Sequence, residues 1–276
     1  MPPRKGVYGA IVEHIFHKHY KPGDTEVEFD RPEIETACAA LGVKVPKNLG
    51  DVVYTYRYRS DMPATVAAKA PTGQAWLIRG RGIAKYAFVA VDEALLANIR
   101  PTPGHAVVKV PDSTPGIIAK HVQTSEQALL AKVRYNRLID LFTGVVCHSL
   151  QNHWRTTVGQ GQIETDEVYL GVDRHGTQYV IPVEAKGGSD AQSIVQMDQD
   201  LALCKDKFPD LVPLLVATQF TGRGASPKVV MFLLTEDPVS GWPQVTSEAH
   251  YQLVTPDSIT AAELAAYRRE SLRAQP

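Results

Sequence analysis

Apolar positions in the first sixty residues recur at helical spacing three times. Val7, Ile11 and Ile15 lie one turn apart, with His14 and Lys18 beside them, and predict a helix to about Tyr20. A polar, glycine-containing stretch follows. The run through Ile34, Ala37, Cys38 and Leu41 has Pro32 in its first turn, Asp30 as its expected cap and Gly42 as its stop, which predicts a second helix. Leu49, Val52, Val53 and Tyr56, capped by Asn48, predict a third that ends before Pro63 and carries Arg57 and Arg59 outward. The period then changes: Gln74 to Ile78 and Tyr86 to Val91 predict two strands joined by a turn at Arg79–Gly82.

Between Arg100 and Ser125 the density of proline and glycine (Pro101, Pro103, Gly104, Pro111, Pro115, Gly116) predicts a connector. Leu129, Val133, Leu138, Leu141 and Val145 then predict one long helix from Ser125 to about Leu150, bent near Gly144. Two strands (Ile163 to Val172, Gln178 to Ala185), a helix (Asp190 to Phe208) and two more strands (Leu211 to Thr218, Val229 to Leu234) complete the pattern. The expected class is α/β (α+β), with a mixed sheet flanked by helices. The expected division is a module over residues 1–100, a linker over 101–124 and a second domain over 125–276.

Composition changes this picture little. In a chain of 276 residues, 44% hydrophobic and 21% charged, neither disorder nor a fibrous repeat is expected. No apolar run approaches the roughly 20 residues that cross a bilayer, and Glu13 and His14 break the short apolar stretch near the start, so neither secretion nor anchoring is expected. Cys38, Cys147 and Cys204 lie far apart without a CxxC pair, which suits a reducing cytoplasm rather than a disulfide framework.

Charge matters more by place than by sum. The net charge is −1, yet from Lys44 to Lys85 eight basic residues face only Asp51 and Asp61, a local block of about +6 able to attract a polyanion. Three short helices followed by a basic hairpin is also the order of a winged helix-turn-helix. That makes Lys44, Lys47, Arg57, Arg59, Arg79, Arg81 and Lys85 candidate DNA contacts; a small helical domain with a solvated basic face is the alternative.

The candidate chemistry sits on the hairpin from Ile163 to Lys186. Strand periodicity puts Glu164, Asp166, Val168 and Leu170 on one face and pairs Glu184 with Lys186 on one face of the next strand. Asp173-Arg-His-Gly-Thr177 suits a three-residue loop with Gly176 left-handed. Paired residue numbers then sum to 350, so Asp166 falls opposite Glu184 with Cβ atoms about 5 Å apart. Opposed carboxylates share a proton or a cation, and with Lys186 adjacent an oxygen-ligated Mg²⁺, or Mn²⁺ as its substitute, is the better account.

This set, Thr165-Asp166 followed after a turn by Glu184-Ala185-Lys186, resembles the PD-(D/E)XK nuclease superfamily, which includes many type II restriction endonucleases. Thr165 stands where that motif has proline, and Pro182 within the second strand predicts a bulge or an unpaired amide there. The runs RYNRLIDLFTG and QNHWRTT are similar to those of restriction-endonuclease-like proteins. The resemblance implies a restriction-endonuclease-like core, Asp166 and Glu184 as metal ligands, the Ala185 carbonyl as a third, and Lys186 helping the attacking water. It also implies an acid from the preceding helix, Glu126 ahead of Glu164. Gln192 and Gln196 on the following helix are candidate accessories, with a solvated polar face as the alternative.

The function so implied is Mg²⁺-dependent hydrolysis of double-stranded DNA, by a homodimer if a palindromic site is cut on both strands. An inert nuclease-like domain in a DNA-binding regulator, or a repair or RNA-processing nuclease, are the rivals. Arg155, with Trp154 and Asn152, is a candidate phosphate or base contact, although Trp154 equally suits a core cover. The Cys147/His148/His153 group lacks zinc-site spacing and is expected to be structural or at the surface, and the His14/His17/His19 group, with His14 and His17 on one face, is expected to be packed or solvated, one shallow metal site being the alternative.

Overall fold

The helical spacing at Val7, Ile11 and Ile15 is realised as α1 (Arg4–His19), followed by β1 (Glu26–Asp30), α2 (Glu33–Leu41), α3 (Gly50–Tyr58), α4 (Ala64–Ala67), β2 (Gln74–Gly82) and β3 (Lys85–Asp92). After α5 (Glu93–Leu96) come β4 (Val107–Pro111), α6 (Gly116–Ala119), α7 (Glu126–Tyr135), α8 (Leu138–Thr143), β5 (Val146–Val158), β6 (Gly161–Val172) and β7 (Gln178–Lys186). The chain continues through α9 (Ile194–Lys207), β8 (Val212–Pro213), β9 (Leu215–Thr221), β10 (Lys228–Glu236), β11 (Pro243–Val254), a 3₁₀ turn (Pro256–Ser258) and α10 (Ala261–Arg273). This computed structural model describes residues 4–96, 99–121, 126–159, 161–187, 190, 192–221 and 228–273. Ser125, the expected cap of the long helix, lies outside them. No helix among the described residues is long and apolar enough to cross a membrane.

In the first module, α1, α2 and α3 pack on a three-stranded antiparallel sheet of order β1-β3-β2. Strand β1 was not anticipated from the sequence: EVEFD alternates exposed and buried, but it offers only Val27 and Phe29 to the core. Gly42 ends α2 with φ 64° as expected. The cap contact differs, because Glu33 Oε1 accepts from the Asp30 N–H at 3.0 Å. The expected turn at Arg79–Gly82 lies further on, at Ile83 and Ala84, so that Arg79 is a strand residue paired with Ala87.

An eight-stranded mixed sheet of order β4-β11-β10-β9-β7-β6-β5, with β8 beside β7, forms the second core. Segment 101–124 is therefore not a bare connector: β4 runs parallel to β11 in this sheet. The long helix expected to Leu150 divides instead. Arg137 turns left-handed at φ 50° between α7 and α8, Gly144 does so at φ 70° after α8, and the chain enters edge strand β5. The run CHSLQNHWRT disguised that strand because most of its side chains face solvent.

One face of the sheet packs Val168, Val180, Ala217 and Phe232 against Met197, Leu201 and Cys204 of α9. The other packs Tyr169, Ile181, Val183 and Val216 against Leu129, Leu130 and Val133 of α7 and Ile139 of α8. On that second face the buried Glu167 is held by Arg134 (2.6 Å) and Ser149 (2.6 Å). Leu77 and Val91 from the first module belong to the α9 core, so the two modules share apolar contacts. Arg79 reinforces them with two bonds to the buried Asp198 and lies 4.7 Å from the Trp242 ring centre.

Candidate active site

The β6–β7 hairpin has the expected register from Val172↔Gln178 through Glu167↔Val183. Asp173 N donates to Thr177 O, and Gly176 takes φ 85°. Pro182 causes no bulge opposite Val168. Its missing N–H faces the neighbouring strand where pairing lapses between β8, which ends its ladder at Val180, and β9, which begins at Val183.

Beyond Glu167 the two strands part. Strict alternation over Glu164, Asp166, Val168 and Leu170 fails, since Ile163, Thr165 and Val168 all turn toward α9. At the parting, Asp166 Oδ2 accepts from the Ala185 N–H at 3.0 Å, where a strand carbonyl would otherwise do so. Asp166, Glu184 and Lys186 thereby line one cavity of about 1320 Å³ together with Glu126, Asp190, Gln192, Gln196 and Gln199.

Glu184 is buried at 2% exposure. Its Oε2 accepts from Gln196 Nε2 at 2.9 Å and lies 3.7 Å from Lys186 Nζ. Burial, then the charges of Asp200 and Asp166, push its carboxyl well above the ordinary range. Burial alone would lower Lys186, but Glu184, Asp166 and Glu126 outweigh it and hold the ammonium protonated. Glu126 Oε1 lies 3.9 Å from that ammonium. Its own carboxyl is raised by burial and by Asp166 and Asp190, against the pull of Lys186. Glu164 instead pairs with Arg155 at 3.0 Å toward the rim, so Glu126 is the acid set beside Lys186.

Helix α9, capped by Ser193, supplies residues that hairpin periodicity did not point to. The buried Asp200 accepts from the Thr165 hydroxyl at 2.6 Å, and burial followed by the nearby Asp166 raises its pKa. Thr165, in the position of the motif's proline, thus fixes β6 to α9. Gln192 precedes the helix; it is fully buried and donates to Thr218 O at 2.9 Å, while Gln219 donates to Asp190 O at 2.9 Å. The glutamines are therefore not a solvated face: Gln192 and Gln219 tie the chain after Lys186 to β9, and Gln196 orients Glu184.

The opposite wall comes from α3 and the residues just after it. Tyr54, Arg57, Tyr58 and Arg59 line the same cavity, and the Tyr58 hydroxyl donates to Gln199 Oε1 at 2.6 Å. Burial pushes the Tyr58 phenol up to about 12. Arg57 stacks on Tyr58, with its guanidinium 5.2 Å from the ring centre, and its Nε and Nη2 are buried with no hydrogen-bond partner. Arg59 lies over Tyr54.

The other expected basic contacts are dispersed. Lys44, Lys47 and Lys85 are exposed away from the cavity. Arg79 and Arg81 are engaged by Asp198 and Glu26. Trp154 packs edge-on to Phe208 at 5.6 Å and so covers the core. His148 is exposed on β5 whereas Cys147 is buried under α8, and His19 pairs with Glu33 at 2.6 Å. No protein-family model, curated protein or solved structure matches this chain. The chemistry of the cleft is read from its own geometry.

Proposed function

We propose that this protein is a metal-dependent endonuclease acting on duplex DNA, of the PD-(D/E)XK type that the hairpin motif resembles. The observation that carries the reading is the convergence of Asp166, Glu184 and Lys186 in one cavity, with Glu126 at 3.9 Å from the ammonium and Arg57 of α3 and Arg59 just after it on the opposite wall.

The donors suit an oxygen-seeking dication. After burial and Asp200, the charge of Asp166 helps to raise the Glu184 carboxyl, and a single ammonium leaves the cluster acidic. The ligand oxygens of Glu126, Asp166 and Glu184 do not all come within 4.8 Å of one another. Asp166 and Glu184, which line the cavity together and feel each other's charge, are the carboxylate pair that would hold Mg²⁺, or Mn²⁺. Ala185 adds its carbonyl, because the N–H and C=O of a strand residue point the same way and its N–H already faces the gap beside Asp166. When bound, the cation offsets charge developing on the phosphate and eases deprotonation of water.

The remaining roles belong to the chain. Lys186, kept protonated by its acids, acts as donor and charge rather than as base, orienting the attacking water and offsetting the phosphate. Glu126 steadies that ammonium from α7. Gln196 aims Glu184. Arg57, whose guanidinium stacks on Tyr58 in the cavity wall, supplies the positive charge for a backbone phosphate.

The reading of residues 1–100 as a winged helix-turn-helix is supported by the order helix, strand, helix, helix and, after the one-turn α4, hairpin, and by β1 completing the hairpin's sheet. The third helix borders the catalytic cavity, so the duplex contacts both modules at once. Cutting both strands calls for a two-fold homodimer.

Supercoiled plasmid incubated with the protein and Mg²⁺ tests the reading. The parent nicks or linearises the plasmid, and Lys186→Ala and Glu184→Gln do not. Duplex binding without cleavage would transfer the case to a regulator with an inert site. Cleavage of RNA or single strands alone would transfer it to a processing enzyme.

A further inference from the structure

A second candidate metal centre lies on the large sheet, outside the acidic cavity. Glu248 and His250 are two residues apart on β11 and therefore share a face. The chain entering β4, which pairs Val107 with His250, brings His105 onto them through a turn containing Gly104 at φ 76°. The His105 and His250 ring centres lie 4.6 Å apart with the planes tilted by 34°, and His250 Nε2 meets Glu248 Oε1 at 2.6 Å. Ligand atoms of all three residues lie within 4.8 Å of one another, the only such three-residue group among the described residues.

The surroundings have the form of a supported ligand set. Glu248 is oriented by the Thr102 N–H (2.8 Å) and the Thr102 hydroxyl (2.6 Å), which is the kind of outer contact that fixes a ligating carboxylate. His250 is 6% exposed. The His105 ring makes no hydrogen bond among the described residues, so its place over His250 has no partner except the ring itself. Two imidazoles and one carboxylate, with a fourth position left to water, form a donor set for Zn²⁺. Imidazole donors disfavour Mg²⁺, which separates this site chemically from the oxygen-only cleft.

We propose that His105, Glu248 and His250 bind one Zn²⁺, which clamps the segment leading from the first module into β4 onto β11. The required movement is small. Metal–ligand distances near 2.05 Å in a tetrahedron put neighbouring donors about 3.3 Å apart. The Glu248–His250 contact of 2.6 Å has to open slightly as its hydrogen bond is exchanged for two metal bonds, and the remaining donor pairs, within 4.8 Å, have to close by up to about 1.5 Å.

The test uses full-length, tag-free protein carrying Asp166→Asn and Glu184→Gln, so that the acidic cleft cannot contribute, with millimolar Mg²⁺ present throughout. Zn²⁺ titration by calorimetry, with elemental analysis after dialysis, is expected to give one equivalent per chain. Co²⁺ is expected to give the visible absorption of a tetrahedral centre. Adding His105→Ala, on a half-exposed turn, removes a ligand and weakens Zn²⁺ binding by more than the about 10–100-fold that loss of an outer contact costs, and Glu248→Gln likewise weakens it. No bound equivalent in the starting protein, or undiminished binding after His105→Ala, would overturn the assignment. The result is independent of whether the parent cuts DNA.

Discussion

Asp166 and Ala185 meet through a side chain where two strands would ordinarily meet through backbone: the Asp166 carboxylate accepts the Ala185 N–H at 3.0 Å just as β6 leaves β7. One oxygen of Asp166 thus satisfies the sheet, and the carboxylate is left at the cavity beside Glu184. The same parting takes Ala185 out of pairing with β6, beside the place proposed for the cation. Structural and chemical roles can be separated at this residue, because amide and carboxylate accept the same bond but differ in charge.

Asp166→Asn keeps an oxygen for the Ala185 N–H and removes the negative charge. Cleavage is expected to fall by at least about 100-fold, on the scale of losing one preorganised electrostatic contact. Thermal unfolding should stay close to that of the parent. Asp166→Ala loses the bond as well, and the stranded N–H should cost a further ~1–3 kcal/mol in stability. Denaturant unfolding set beside plasmid cleavage checks both expectations; equal activity of Asp166→Asn and the parent would refute the role given to this carboxylate.

Gln196 touches Glu184 at 2.9 Å and is assigned no part in the chemistry itself. Truncating such an outer contact weakens a metal site by about 10–100-fold. For Gln196→Ala the Mg²⁺ concentration giving half-maximal cleavage should rise accordingly, while the rate at saturating Mg²⁺ recovers toward that of the parent. A fall in rate that no amount of Mg²⁺ restores would argue instead that Gln196 contacts the substrate.

Arg57 and Arg79 looked alike in the sequence, and the fold gives them different work. Arg57 lines the cavity, stacked on Tyr58, so Arg57→Ala should weaken duplex binding and lower the salt slope of log K by about one. Arg79 is spent on Asp198, which is 1% exposed, so Arg79→Ala strands a buried carboxylate between the modules and should cost about 3 kcal/mol. Its salt slope should not change. Binding isotherms at several ionic strengths, paired with urea unfolding, distinguish the two; a reduced slope for Arg79→Ala would reverse the assignment.

That contrast marks where the sequence was legible. The Asp173–Thr177 loop carries its own turn chemistry, so the pairing from Val172 to Glu167 followed from local rules, as did the shared face of Glu184 and Lys186. What local rules cannot express is a partner distant in sequence. Asp198, Gln199 and Asp200 are three consecutive polar residues of α9, and each is buried because its partner, Arg79, Tyr58 or Thr165, arrives from another element. Strands β1 and β5 were missed for a related reason: a strand with few apolar side chains is defined by its neighbours in the sheet, and these too are remote.

Glu33 supplies a pH test far from the cavity. Its carboxylate meets Lys18 (2.8 Å), His19 (2.6 Å) and the Asp30 N–H (3.0 Å), tying α1 to the start of α2. Burial alone would raise its pKa, but the Lys18 contact, the Asp30 N–H and His19 together lower it from 4.5 to about 2. A carboxyl whose folded pKa is depressed contributes stability that is complete above the unfolded value and is lost as the pH falls toward the folded one. The parent should therefore lose an increment of stability below about pH 4.5 that Glu33→Gln, which is less stable near neutrality, no longer has to lose. The gap between their urea midpoints should be widest near neutrality and close as the pH drops toward about 2, with half of any change lying well below pH 4.5. A gap independent of pH would mean that Glu33 acts through shape and packing rather than through its charge.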